Sequence, residues 1–172
     1  MSGPGGQQGV MAAAGSQRQV QIYANQRPAV LDGEIRGAFP ELDGATLEWR
    51  SPLESDGFRE YWDSAFLDAV GQAEHADALA KFWPKGGPHW DALAIVSRPG
   101  SRPGVILMEA KSHVSELLKG SAIAASVADS SRRQIELAMA WTHGSLGICD
   151  RSASSWCETP LYQSANRLAH LQ

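Results

Sequence analysis

Apolar and polar positions alternate with different periods along the chain. In "FREYWDSAFLDAV", Phe58, Trp62, Ala65, Phe66, Ala69 and Val70 recur at helical spacing while Arg59, Glu60, Asp63 and Ser64 fall elsewhere, which predicts an amphipathic helix over residues 58–70. "HADALAKFW" predicts a second helix, stopped at Pro84, because proline lacks a backbone donor and disfavours helix in the residue before it. The period then changes. "WDALAIVS" and "GVILMEAKS" are short apolar runs joined by "RPGSRPG", which predicts two strands of a β-hairpin, rich enough in Val, Ile and Leu to be covered on both faces. Helical spacing returns in "SSRRQIELAMAWTHG", where Ile135, Ala138, Met139 and Thr142 form one stripe, Ser131 and Gln134 a capping box, and Gly144 the stop. "ETPLYQSANRLAHLQ" predicts a last helix, with Thr159 as N-cap, Pro160 at the first helical position, and Leu161, Ala165 and Leu168 as its apolar side.

The remaining stretches are less periodic. Residues 1–18 are rich in Gly, Ser, Gln and Ala and bury too little to offset the entropy of ordering, so they are expected to be a flexible tail. Short β-prone pieces broken by turn signals follow, up to "ATLEWRSP". The expected organisation is this tail followed by one domain over residues 19–172. At 172 residues, with 43% hydrophobic and 20% charged side chains, the chain has the means to build a core. A net charge of -4 argues against coating nucleic acid by bulk electrostatics, so a polyanion needs a local basic track, for which Lys81, Lys85, Lys119, Arg132 and Arg133 are candidates. Cys149 and Cys157 make neither a disulfide framework nor a zinc pattern, and no segment reads as a signal peptide or membrane span, so a cytoplasmic protein is expected.

Charge in the wrong place singles out the hairpin. Asp91 heads its first strand, and Glu109 and Lys111 end its second, although burying charge is costly unless it is paired or holds a metal. Successive side chains of a strand alternate faces, so Glu109 and Lys111 point the same way, and His113 continues the line if the strand extends. Asp91, on the neighbouring strand, lies beside them where the register allows. Two carboxylates brought together repel unless a cation sits between them, and hard oxygen ligands suit Mg²⁺ or Mn²⁺. Such an ion clamps a phosphate and activates water for in-line attack, leaving Lys111 to orient that water or to counter charge on the phosphate.

Asp91, a loop, and then "EAK" closing an apolar strand resemble the PD-(D/E)xK nuclease superfamily. The resemblance covers residues 54–172. It implies an α/β fold of restriction-endonuclease-like type, a three-layer core whose central mixed sheet is flanked by helices in the order helix, three strands, helix, strand. It also implies a metal-dependent deoxyribonuclease in which Asp91, Glu109 and the backbone carbonyl of Ala110 hold the metal and Lys111 is the catalytic lysine. Glu60 or Asp63 would add an acid from the first helix, and Gln163 resembles a glutamine that some members place on a late helix. Gln163, Asn166, Arg167 and His170 share one helical face that could approach phosphates. The chain departs from the pattern in two places: "HW" precedes Asp91 where proline is common, and no fresh Val/Ile-rich run follows Gly144. Either "SLGICD" is a stunted last strand, or the chain is a fragment, or another chain, such as a second copy in a homodimer, completes the sheet.

At ordinary residue frequencies, about one acid-x-Lys triplet arises by chance in a chain of this size, so the place of the triplet carries the reading. Two other readings stand beside the nuclease. One is a nuclease-fold module, without turnover, that binds nucleic acid or a protein partner. The other is an unrelated α/β protein in which Glu109 and Lys111 merely pair. The tryptophans, including Trp62, Trp83, Trp90 and Trp141, sit mostly on apolar faces and are expected in the core.

Overall fold

A computed structural model of the chain describes residues 6–7, 9–118, 123, 127–148, 156–157 and 161–172. Where the sequence pattern suggested one domain over residues 19–172, the chain divides into two compact units, Met1–Ala76 with His89–Ala110, and Asp77–Pro88 with Lys111–Gln172.

The first unit is built on an antiparallel sheet. Strand β1 (Gly6–Gln7) pairs with β3 (Glu60–Tyr61), and β2 (Thr46–Ser51), β4 (Ala92–Ser97) and β5 (Gly104–Met108) form a sheet of order β2-β4-β5. Both neighbours of β4 run antiparallel to it, which corrects the expectation of a mixed sheet. In β2, Leu47, Trp49 and Ser51 are buried while Thr46, Glu48 and Arg50 are exposed, the period of a strand with one wet face. β4 is central and nearly all buried, as its continuous apolar run requires. β5 is different: Gly104 and Val105 are exposed and the rest half-buried, so this strand is not covered on both faces as expected.

Helices α1 (Gly15–Gln26) and α2 (Pro28–Ala38) supply the covering layer. Val20 of α1 shares a core with Trp49, Ala92 and Ala94, and Leu31 and Ile35 of α2 pack against it. Small alanines at 92 and 94 leave room for the indole of Trp49, the register partner of Ala94, whose Nε1–H donates to Asp32 Oδ1 at 2.9 Å. Gln21 is buried, and its amide accepts a 2.7 Å bond from the Ala12 backbone N–H, while Arg18 donates to the Ala12 carbonyl at 3.0 Å. These bonds fasten residues read from composition as part of a tail, and Gly15–Arg18 already lie in α1.

The helix expected over residues 58–70 is only α3 (Ser64–Ala69). Ahead of it, Phe58 and Asp63 adopt φ of 51° and 49°, left-handed values incompatible with a continuous helix. Glu60 and Tyr61 are drawn into a strand instead, Tyr61 also bridging Trp90. Its hydroxyl donates to Asp56 Oδ2 at 2.6 Å, and Arg59 pairs with the same oxygen at 3.2 Å. Burial, and then this carboxylate, push the Tyr61 phenol up from 10.0 to about 12.

The second unit is helical: α4 (Ala76–Phe82), whose first residue falls in the other unit, α5 (Val114–Leu118), α6 (Asp129–Ser145) and α7 (Tyr162–Ala169). Its core gathers Trp83, Ile135, Ala138, Met139, Ala165 and Ala169. α6 starts two residues before the expected cap at Ser131 and has no side-chain cap; Gln134 instead donates to the carbonyls of Ala80 and Lys81, at 3.0 Å each. Gly144 lies inside the helix, and the left-handed residue after it is Gly147. The caps expected at Thr159 and Pro160, like Lys119 and Cys149, lie outside the described residues. Among the described residues no strand follows β5, and Leu146–Ile148 of "SLGICD" are not a strand.

Candidate acidic site at the end of the hairpin

β4 and β5 pair from Ala92↔Met108 to Val96↔Gly104, which puts Asp91 immediately before one strand and Glu109 immediately after the other. The chain bends at Asp91, and two hydrogen bonds fix it there. Its backbone N–H donates to the Met108 carbonyl at 3.0 Å, and its Oδ2 accepts the Ala110 N–H at 2.7 Å. Asp91 is thus tied to the residues on both sides of Glu109, so the register brings the two acids together at one end of the sheet. Both are half-buried, as are Ala110 and Lys111.

Two carboxylates and a backbone carbonyl make an all-oxygen donor set of the kind Mg²⁺ or Mn²⁺ takes, alongside retained waters. Among the described residues, no group of three or more His, Cys, Asp and Glu is placed to hold a metal, so neither Glu60 nor Asp63 joins the acid pair in such a group. Glu60 stands on β3, not on a helix, and its Oε1 accepts a 2.6 Å bond from Gln17. Asp63 sits just before α3, in the left-handed conformation already noted.

Lys111 is the first residue of the second unit, two positions after Glu109. β5 ends at Met108, so the strand does not carry on to His113, which is exposed just ahead of α5. On α7, Gln163 and Arg167 are half-buried. The face they share with Asn166 and His170 is not uniformly solvated: Asn166 is buried, and His170 packs edge-on against Trp83 at 4.8 Å. Leu161 and Leu168, expected inside, are exposed, because the helix buries Ala165, Asn166 and Ala169.

Beside the acids lies a feature the sequence pattern did not single out. Trp62 and His89 stack face to face, ring centroids 4.4 Å apart and planes within 4°, with the imidazole exposed and the indole half-buried. Trp90, between His89 and Asp91, is buried and meets Phe66 edge-on at 6.0 Å. The Tyr61↔Trp90 bridge sets Trp62 and His89 opposite one another, a long-range pairing for which the local sequence carries no signal.

The chain matches no protein-family model, no curated protein and no solved structure. No helix among the described residues is long and apolar enough to cross a membrane. The fold on the page is a mixed α/β one with a small three-stranded antiparallel sheet.

Proposed function

We propose that this chain is a metal-dependent nuclease that hydrolyses phosphodiester bonds of DNA. The observation that carries the reading is the bonding of Asp91 to Met108 and Ala110, which brings it beside Glu109 at the sheet end from which Lys111 departs. A three-stranded sheet of β2, β4 and β5 with helices before and after it along the chain is in keeping with the expected core, although short β3, α3 and α4 intervene between β2 and β4 and no strand follows β5 among the described residues. Asp91, Glu109 and the carbonyl of Ala110 would hold Mg²⁺ or Mn²⁺, which supplies charge neutralisation at the phosphate and lowers the pKa of a bound water. The protein's own part is positional. The Ala110 N–H fixes the Asp91 carboxylate, and the end of the ladder brings Glu109 beside it. By the resemblance, the catalytic lysine that orients water and offsets charge on the phosphoryl oxygens would be Lys111.

The test is cleavage of plasmid and linear DNA by the purified chain with Mg²⁺ or Mn²⁺. Lys111→Ala and Asp91→Asn are expected to lower the rate by at least about 10²-fold, the scale of removing one preorganised electrostatic contact, with the circular dichroism spectrum unchanged. Undiminished cleavage by both variants refutes the assignment.

A second reading, a binding module without turnover, is favoured by β5. It is the edge of its sheet, with Gly104 and Val105 exposed, and an edge strand presents backbone groups to which a partner's strand or a second copy can pair. Calorimetry with Mn²⁺ separates the readings: the nuclease takes up the ion at Asp91 and Glu109, and the module does not.

A further inference from the structure

We infer that the stacked Trp62–His89 pair is a nucleobase platform, and that the nuclease proposed above therefore acts on unpaired, single-stranded substrate. The inference rests on that nuclease reading and adds the substrate class.

The geometry of the pair carries it. The rings are parallel to within 4° and 4.4 Å apart, which is face-to-face stacking, and the member two residues from Asp91 in the chain, His89, is the exposed one. An exposed aromatic stack is a costly way to finish a sheet surface, since the imidazole wins little burial. It is a ready surface for a base, because every nucleobase has a π-face that stacks favourably on an aromatic side chain. Position adds to this. His89 is two residues from Asp91, so their Cα atoms are at most about 7 Å apart. A base stacked on the imidazole would therefore lie within a nucleotide or so of a phosphate held at Asp91 and Glu109. The platform is also stiff. Trp90 between them is buried against Phe66 and bridged to Tyr61, with its N–H donating to the Tyr61 carbonyl at 3.2 Å. This anchors the two segments, next to β3 and ahead of β4, that carry the stack.

A base reaches this surface only when it has left its own stack. In a duplex it has to be unpaired first, which costs free energy, whereas in a single strand it is already available. The platform contacts only a ring face, so it reads no base edge and confers no sequence preference.

Fluorescence anisotropy with labelled single-stranded and duplex oligonucleotides of equal length, in Ca²⁺ so that binding is read without cleavage, tests the inference. Cleavage of the same strands in Mn²⁺ runs alongside. The wild-type chain is expected to bind the single strand at least tenfold more tightly than the duplex. Trp62→Ala and His89→Ala are expected to erase most of that preference, and Trp62→Phe to retain it. One abasic position is expected to weaken wild-type binding and to leave Trp62→Ala binding unchanged. A merely structural cross-strand pair predicts lower thermal stability in the alanine variants with the single-strand preference intact, and that result overturns the inference. Cleavage with equal affinity for both forms also overturns it while leaving the nuclease reading standing; absence of both binding and cleavage defeats the two together.

Discussion

The strands of the sheet unit and the helices α6 and α7 of the helical unit differ in what they bury. At the centre of the sheet unit large residues are inside, Trp90 at 1% exposure and Leu93 fully buried, while Thr46, Glu48 and Arg50 of β2 face water and apolar residues away from the central strand, Val30 and Phe39, are exposed. In the helical unit α6 and α7 bury Ile135 and Met139 together with small or polar residues, Ala138, Thr142, His143, Ala165, Asn166 and Ala169, while Leu137 and Trp141 are each 56% exposed and Leu161 and Leu168 also face outward. Sequence hydrophobicity therefore follows burial along the central strand β4 and departs from it on α6 and α7. Helices that approach closely require small side chains at the contact, so the residues that pack need not be the most apolar ones.

This difference yields substitutions of graded effect. The largest loss is expected for Trp90→Ala, about 3–5 kcal/mol, because a buried indole leaves a cavity that the flanking strands cannot close. Met139→Ala, the counterpart in the helical unit and fully buried on α6, is expected to cost about 2–5 kcal/mol. Urea denaturation followed by circular dichroism measures both. Should Met139→Ala prove nearly harmless, the helical unit has no core of its own and the comparison collapses.

A smaller effect is expected where the sheet unit joins polar groups across its layers. Asp32→Ala removes the acceptor of the Trp49 Nε1–H and leaves a donor beside the core, an expected loss of about 1–3 kcal/mol on the same denaturation curve. Asp32→Asn keeps an acceptor and is expected to recover most of it.

How far the site was legible follows from the same contrast. The hairpin of β4 and β5 could be read from runs of Val, Ile and Leu around "RPGSRPG", and with it the nearness of Asp91 to Glu109, because a hairpin makes residues adjacent in space that are close in sequence. The spacing of Phe58, Trp62 and Phe66 misled, since it matches a helix while β1 and Trp90 recruit Glu60 and Tyr61 into strands. Those partners lie some fifty and thirty residues away, about as local periodicity cannot reach. The Trp62–His89 stack escaped notice for the same reason. On α7, the rule that leucines point inward reversed the helix, and the interior position of Asn166 carried no sequence signal.

The gentlest test of the sheet unit is pH. The folded protein holds the Tyr61 phenol protonated up to about 12, against its ordinary 10.0, chiefly through burial and then through the bond to Asp56. Folding thus favours the protonated form, so this stabilisation is complete below pH 10 and is lost as pH rises towards 12. Wild-type unfolding free energy, measured in urea at a series of alkaline pH values, is expected to fall more steeply across that interval than that of Tyr61→Phe, which has no phenol to ionise. Equal slopes would mean that in solution Tyr61 is neither buried nor bonded to Asp56, so that the bend leading from β3 to Trp62 lacks the packing shown for it, whereas α7 keeps Ala165 and Ala169 in its core.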